Sequence, residues 1–311
     1  FADDIAAIMD AYYLLNYQRK PSHMGFNMIG EKFSPVQDPE FSHFHYGDEA
    51  EKRVAAFRKI ESRAAAIYEK LPDHKRNAFY QLVLYPVRCS YYLNEKIIYA
   101  HKSRVYARQG RTVANRLARL AREDHQGIIR ETDYYNNRMK GGKWKRMMTY
   151  DPKELPVFDM PDTDRVKPME QPRLGVITQG SEEPLKNNGE LPGLLRYTRK
   201  SYFIDLFNKG EGTIKWSAQA DKPWLKLDRS SEEFAKQQRI WVSADYEAAP
   251  TGTHSANISI SGAGSDFIVK APVINPLKKL EPGTVFVQDN GVISMNAEHY
   301  TVKHEGRKSS F

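Results

Sequence analysis

The spacing of the apolar residues changes once along this chain, from about 3.6 residues to two, and that change constrains the architecture more than any motif. Through residue 148 the spacing is helical. Ile5, Ile8, Met9, Tyr12 and Leu15 line one face behind Asp3 and Asp4, either of which can cap the helix start. Pro21 marks its end, and a long loop follows. A second helix is expected over about residues 48–71, with Val54, Phe57, Ile60, Ala64 and Ile67 inward. Pro72 and Asp73 open a third, with Phe79, Leu82 and Val83 inward. Pro86 should kink or break that pattern, because proline has no N–H to donate. The spacing resumes through Tyr91, Ile97, Ile98 and Val105 to Gly110. A last helix is expected over about residues 112–139, ahead of Gly141 and Gly142.

After Tyr202 the spacing is two. Tyr202, Ile204 and Leu206 form one inward row, and Ile214, Trp216 and Ala218 the next. Ile240, Val242 and Ala244 follow, then Ala256, Ile258 and Ile260, and finally Phe267, Val269, Ala271 and Val273. Short rows with Gly and Pro between them predict a β-sandwich of immunoglobulin-like size. Between the two regimes Pro152, Pro156, Pro161, Pro168, Pro172, Pro184 and Pro192 interrupt any period. Leu155, Val157, Phe158 and Met160 make this stretch too apolar for a free linker, so it reads as a strap lying across the domains.

The expectation is therefore a multidomain chain: an all-α helical bundle over residues 1–148, a Pro-rich strap over 149–198, the sandwich over 199–276, and a further piece over 277–311. In that piece residues 284–300 read as a strand, a turn at Asp289, Asn290 and Gly291, and a second strand. This is the start of a third β domain, too short to bury a core alone. With Phe1 at its head, the chain reads as part of a longer protein.

The formal net charge of +8 is spread over all segments with acidic residues beside it, which describes a mixed basic surface and not a nucleic-acid partner. Arg111, Arg119 and Arg122 fall on one side of the last helix, opposite Val113, Leu117 and Leu120. That side is either a patch for phosphate or an acidic sugar, or the solvated face of a bundle helix. No apolar run approaches the roughly 18 residues of a membrane span. The lone Cys89 cannot form an intrachain disulfide, and its apolar setting predicts a buried, inert thiol. His43 and His45, with His23 upstream, lack the spacing of a zinc motif, so no metal and no cofactor are expected. Trp241 should face outward from the sandwich, to stack on a sugar or to cover a neighbouring domain. Asp3 with Asp4, Asp48 with Glu49, and Glu182 with Glu183 are adjacent in sequence, and none makes an acid/base pair facing across a cleft. No catalytic residue is expected here.

Several segments together resemble glycoside hydrolase family 115, the xylan α-1,2-glucuronidases. Residues 10–21 (DAYYLLNYQRKP) look like the helix that follows that family's catalytic barrel, and residues 41–50 (FSHFHYGDEA) like the entry into its next helix. Residues 85–88 (YPVR), 94–96 (NEK) and 141–144 (GGKW), with Met147 and Met148, are similar to further stretches of its helical domain. Residues 202–276, with FNKG at 207–210 and KPW at 222–224, resemble its sandwich, and residues 291–300 the opening of its terminal carbohydrate-module-like domain. The stretch after Trp144 departs from the family pattern.

The resemblance implies a secreted or periplasmic enzyme that removes glucuronic acid, or its 4-O-methyl form, from glucuronoxylan with inversion. Its catalytic residues would lie on a barrel upstream of Phe1, which would meet glucuronoxylan or aldouronic acids. A homodimer through the helical domain is a further implication. Arg19 and Lys20 become the candidates for approaching an acidic sugar, the alternative being that they pin the following loop by salt bridges. Glu298 falls where related modules hold a structural calcium, but Asn296 replaces the expected second carboxylate, so no ion is expected. The competing reading is a non-catalytic, carbohydrate-associated binding module.

Overall fold

The computed structural model describes residues 1–20, 23–24, 38–278, 280, 285–295 and 302. Pro21, Asn296, Glu298 and the two ends of the expected strand pair over 284–300 lie outside the described residues, whereas residues 285–295 are described. The chain builds a helical region followed by a β-sandwich. The helices are α1 (Ala2–Gln18), α2 (Glu49–Lys70), α3 (Asp73–Phe79), α4 (Tyr85–Arg108) and α5 (Ala114–Asp133). Helix α1 starts behind Phe1 with no side-chain cap, so Asp3 and Asp4 are first-turn acids and not caps. Their charge still favours the positive end of the helix, and Asp4 faces Arg63 at 3.4 Å. Asp48 does cap α2: its Oδ1 accepts from Glu51 N–H at 3.1 Å. The expected inward face of α2 is buried throughout.

Pro86 does not break the helical path. Residues Tyr80–Leu84 form one π-helical turn between α3 and α4, and Tyr85 N–H reaches back to Tyr80 O. Widening the turn by one residue relieves the clash that proline's ring has with the carbonyl four residues earlier. The inserted residue also shifts the helical phase. Leu82, expected inward, is 67% exposed, whereas Val83 and Leu84 are buried. Cys89, expected to be buried, is half-buried against the same core. Burial pushes its thiol up to about 12, so it is not a thiolate near neutral pH.

The sandwich comprises β1 (Leu174–Thr178), β2 (Asn188–Glu190), β3 (Leu194–Leu195), β4 (Tyr202–Asn208), β5 (Ile214–Ala220), β6 (Leu225–Leu227), β7 (Ser231–Phe234), β8 (Gln237–Ala244), β9 (Gly252–Gly262) and β10 (Ser265–Asn275). One sheet has the order β1-β4-β8-β6 and is antiparallel. The other runs β2-β10-β9-β5-β7, with β2 and β3 parallel to β10. The predicted inward rows meet between the sheets as one apolar core, with Ala244 at its edge. The boundary expected at residue 198 is corrected, because β1, β2 and β3 already belong to the sandwich. The strap proper ends near residue 173 and lies on the helices. Lys96 Nζ donates to Phe158 O and Asp159 O, and the Asn115 side chain exchanges hydrogen bonds with the Val166 backbone. Leu155, Phe158 and Met160 pack against the helical core.

The turn at Asp289 and Asn290 docks on the sandwich. Asp289 bridges to Val292, and the Asn290 side chain brackets Gly193 N and O at 2.7 and 3.1 Å. No strand occurs among the described residues beyond β10. In the FNKG stretch, a Cβ on Gly210 would stand 1.8 Å from Gln171 O, so close backbone approach requires glycine there.

Strand β4 is buried along its whole length. Tyr202, Ile204 and Leu206 face the sandwich core. Phe203 and Asp205, on the other face, meet the side chain of Arg239, and Phe207 joins Ile177 in one apolar cluster with Val105, Tyr106 and Val113 of the helical region. Asp205 Oδ1 accepts from Arg239 Nε at 2.6 Å, and its Oδ2 accepts from Arg239 Nη2 at 3.0 Å and from Arg111 Nη1 at 3.2 Å. Arg239 Nη2 also donates to Asp48 Oδ2 at 3.1 Å, which takes a second bond from Lys102 Nζ at 3.1 Å. Lys102 completes the set on Glu51 at 2.9 Å. Three carboxylates (Asp48, Glu51, Asp205) thus balance three cations (Lys102, Arg111, Arg239) across the two domains. Arg111 also stacks between Tyr106 at 4.0 Å and Phe207 at 4.5 Å. Burial would raise the Asp205 carboxyl, but Arg239 and Arg111 outweigh it and hold it below the ordinary 3.8.

Removing one member of such a set leaves buried charge without a partner. Asp205→Asn should therefore lower the free energy of unfolding by about 3–5 kcal/mol, measured by urea denaturation. A loss under about 1 kcal/mol, the worth of a surface ion pair, would show that the junction does not depend on it.

Candidate functional site

Arg19 and Lys20 follow α1 and do not converge. Arg19 Nη2 pairs with Glu40 at 2.7 Å, and its carbonyl accepts from Arg53 Nη2 at 2.7 Å. Arg53, itself buried, also holds Leu15 O and Asn94 Oδ1. Arg19 is thus a pin for the chain after α1. Lys20 is exposed beside Tyr13, Leu14 and Tyr17 on an open face of α1. The three-arginine face expected on the last helix does not exist. Arg111 precedes α5 and is wholly buried in the junction, Arg119 pairs with Glu123 at 2.6 Å, and Arg122 donates to Thr163 Oγ1 of the strap at 2.7 Å. Trp241 is half-buried, packed edge-on to Phe203 at 5.8 Å and close to Gly47 of the turn before α2. It covers the neighbouring domain.

Beside Glu40 a cavity of about 240 Å³ opens between the domains, lined among others by His43, His101, Arg108, Gln109 and Glu182. The turn before α2 supplies His43, the later turns of α4 supply His101 and Arg108, and the loop after β1 supplies Glu182. Gln109 Nε2 donates to Glu182 O at 2.6 Å, and Gly180 N–H donates to Phe44 O at 2.8 Å. These bonds fix the cavity's two sides to each other.

The tautomers within it follow from one anion. Burial would raise Asp38, but Arg104 and His101 hold it below 3.8, so it accepts. His101 Nε2 lies 3.3 Å from Asp38 Oδ1. Burial pushes His101 down to about 4 against the pull of Asp38, so the ring is neutral near pH 7. Its Nε2–H therefore donates to Asp38, and its Nδ1 accepts from His43 Nε2–H at 3.0 Å. His43 is 2% exposed, and its Nδ1 has no partner among the described residues. Burial, then Lys102, His101, Arg111 and Arg104, keep it well below 6.5. Two neutral imidazoles ending on a carboxylate make a poor acid near neutral pH, and closure of His43 keeps substrate from its free lone pair. The arrangement orders the turn before α2. His45 is exposed and apart from this pair. Among the described residues no group of three His, Cys, Asp or Glu side chains could hold a metal ion. No helix of the described residues is long and apolar enough to cross a membrane.

Asp205, Arg239, Lys102 and His101 were not among the candidates expected from the sequence. Asp205 carried a signal, as the one charge in a strand that is apolar from Tyr202 to Phe207 but for it. The others sit in helices and strands whose polar residues look like ordinary surface.

No known protein family matches the chain, and no curated protein matches it. Among solved structures, a Bacteroides ovatus GH5 xyloglucanase in complex with a XXXG heptasaccharide is 14% identical over 36% of this chain, with a TM-score of 0.25. The chain spans 21% of that enzyme. A FixG-related protein from Vibrio parahaemolyticus is 10% identical over 35% of this chain and all of its own (100%), TM-score 0.24. The ASH/PapD-like domain of human CEP192 is 10% identical over 39% of this chain and 99% of its own, TM-score 0.26. Likeness this low carries no argument about function.

The buried imidazoles generate a pH dependence. Their folded pKa values lie below the unfolded value of 6.5, so as pH falls through 6.5 the unfolded chain takes up protons that the folded chain refuses. Their contribution is fully present above that pH and is lost as pH falls toward about 4. The melting temperature should drop between pH 6.5 and 4.5, and a His43→Gln, His101→Asn double variant should drop less steeply. Parallel slopes for the two proteins would contradict this assignment.

Proposed function

We propose that this chain is the non-catalytic helical and sandwich platform of a secreted or periplasmic α-glucuronidase, one that hydrolyses (4-O-methyl)glucuronic acid branches from glucuronoxylan with inversion. The observation that carries the reading is the buried ion set at the domain junction, which makes helices and sandwich one stiff support. The collinear resemblance of the sequence supplies the chemistry such a support would serve. Inversion needs a general acid and a general base roughly 6.5–9.5 Å apart, with room for water between them. In the junction cavity Glu40 is held by Arg19, and Glu182 and Glu183 are sequence neighbours on one loop. Catalysis is therefore assigned to a barrel outside these residues, which would meet glucuronoxylan or aldouronic acids. In this reading the sandwich is immunoglobulin-like, the residues after β10 open a further carbohydrate-module-like domain, and the helices can support a homodimer.

A second reading, a carbohydrate-associated binding module, draws on α1. Tyr13 and Tyr17 stand one turn apart with 64% and 90% of their surface exposed, and Lys20 lies beside them. Aromatic planes so displayed can stack on sugar rings. Retardation of this chain in gels containing glucuronoxylan, abolished by Tyr17→Ala, would favour it.

The platform reading is tested by assaying this chain and its full-length parent on the same aldouronic acids. This chain alone should release no glucuronic acid, and the parent should release it with inverted anomeric configuration. Turnover by this chain would overturn the placement of catalysis, and an inactive parent would remove the glucuronidase reading.

A further inference from the structure

A second cavity, of about 220 Å³, opens in the helical region, walled by α1, α4 and α5 and bordered by the strap through Tyr150, Pro152 and Phe158. It is separate from the junction cavity and shares no lining residue with it. Most of its wall is apolar or aromatic, including Tyr12, Tyr85, Leu93 and Ile128. Two nitrogen-bearing side chains, Lys96 and His125, break that lining.

Lys96 is 1% exposed, and no carboxylate among the described residues lies within ion-pair distance of it. Its ammonium donates to Phe158 O at 2.8 Å and Asp159 O at 3.1 Å, and lies 3.5 Å from His125 Nδ1. Carbonyl dipoles satisfy its hydrogen bonds but supply no counter-charge, and a buried charge without one is costly. Burial accordingly brings its pKa down to about 8, with Asp159 opposing, so it stays mostly cationic at neutral pH. An ammonium can only donate, so His125 Nδ1 must accept from it and the imidazole proton resides on Nε2. His125 Nε2–H makes no hydrogen bond among the described residues. Burial and Lys96 both lower the His125 pKa, which keeps the ring neutral.

We propose that this cavity binds a small aromatic monocarboxylate, its ring against Tyr12, Tyr85, Tyr150 and Phe158 and its carboxylate toward Lys96 and His125 Nε2–H. The carboxylate supplies the contacting counter-charge that Lys96 lacks, and the ring lies against the apolar wall. A cavity of about 150 Å³ accommodates benzene, so this one has room for a ring with one carboxylate. A sugar acid would leave hydroxyls without partners against the apolar wall. The site is therefore distinct in chemistry from the glucuronate handling proposed above, and neither reading depends on the other.

Benzoate is the probe, titrated into the chain at pH 7 by calorimetry, with benzyl alcohol as the uncharged ring and glucuronate as the sugar acid. Benzoate should bind saturably at one site with a Kd of about 1 mM or tighter, within reach of a ligand this small. Benzyl alcohol should bind at least tenfold more weakly, and glucuronate should show no binding at this site. Lys96→Met should weaken benzoate at least tenfold. Leu93→Trp, which fills the cavity and leaves the ammonium in place, should abolish binding. Absence of saturable benzoate binding, or equal affinity for benzyl alcohol on the unaltered protein, would overturn the proposal even if a variant fails to fold. Undiminished binding by a folded Leu93→Trp protein would overturn it as well.

Discussion

Asp205 lies in the middle of a strand buried on both faces, and the fold depends on how its charge is met. A carboxylate taken out of water is stable only with strong partners, and here they come from both sides of the junction: Arg239 within the sheet and Arg111 from the helical region. Arg239 then extends to Asp48, which is also the cap of α2. One set of charges thus fixes the start of a helix, the register of two strands and the angle between two domains. The apolar contacts around it are larger in area but non-directional. The ion set supplies the geometry, and burial of Phe207 and Ile177 against the helices supplies the driving force.

The strap works in the same way at lower cost. It has little regular structure, so its backbone groups need partners from elsewhere, and α4 and α5 provide them through Lys96, Arg104 and Asn115. Lys96 is unusual in doing this from full burial with no carboxylate in ion-pair contact among the described residues. The same strap borders one cavity, and the tie between Gln109 and Glu182 borders the other. Both spaces exist because segments without periodic structure are held down at a few points.

Much of this was legible in the sequence. Strands β5, β9 and β10 alternate because one face meets the core and the other meets polar surroundings, so their inward rows could be read directly. Strand β1, LGVIT, is buried at every position and has no alternation to read. The inner rows of β4 could be read, but nothing in its pattern says that Phe203, Asp205 and Phe207 face a second domain. Leu82 was misplaced because a single π-helical turn shifts the phase, and local composition does not announce such a turn beyond the proline that calls for it. Arg111 was misplaced because it was counted as helical, whereas α5 begins three residues later. Helix α4 buries Asn94, Glu95, Lys96 and Lys102 along with its apolar residues, so it has no clean polar face from which a site could be inferred. Arg19 and Lys20 were adjacent in sequence but face different surroundings, and among the described residues only Arg19 pairs with a carboxylate.

The central claim is that the ion set and the packing around it make helices and sandwich a single cooperative unit. Differential scanning calorimetry at pH 7 tests this most directly, because a cooperative unit has equal calorimetric and van't Hoff enthalpies. The account predicts one transition with the two enthalpies in agreement, and loss of helical and sheet signals at the same temperature. Two resolved transitions, with the sandwich and the helices melting apart, would contradict it.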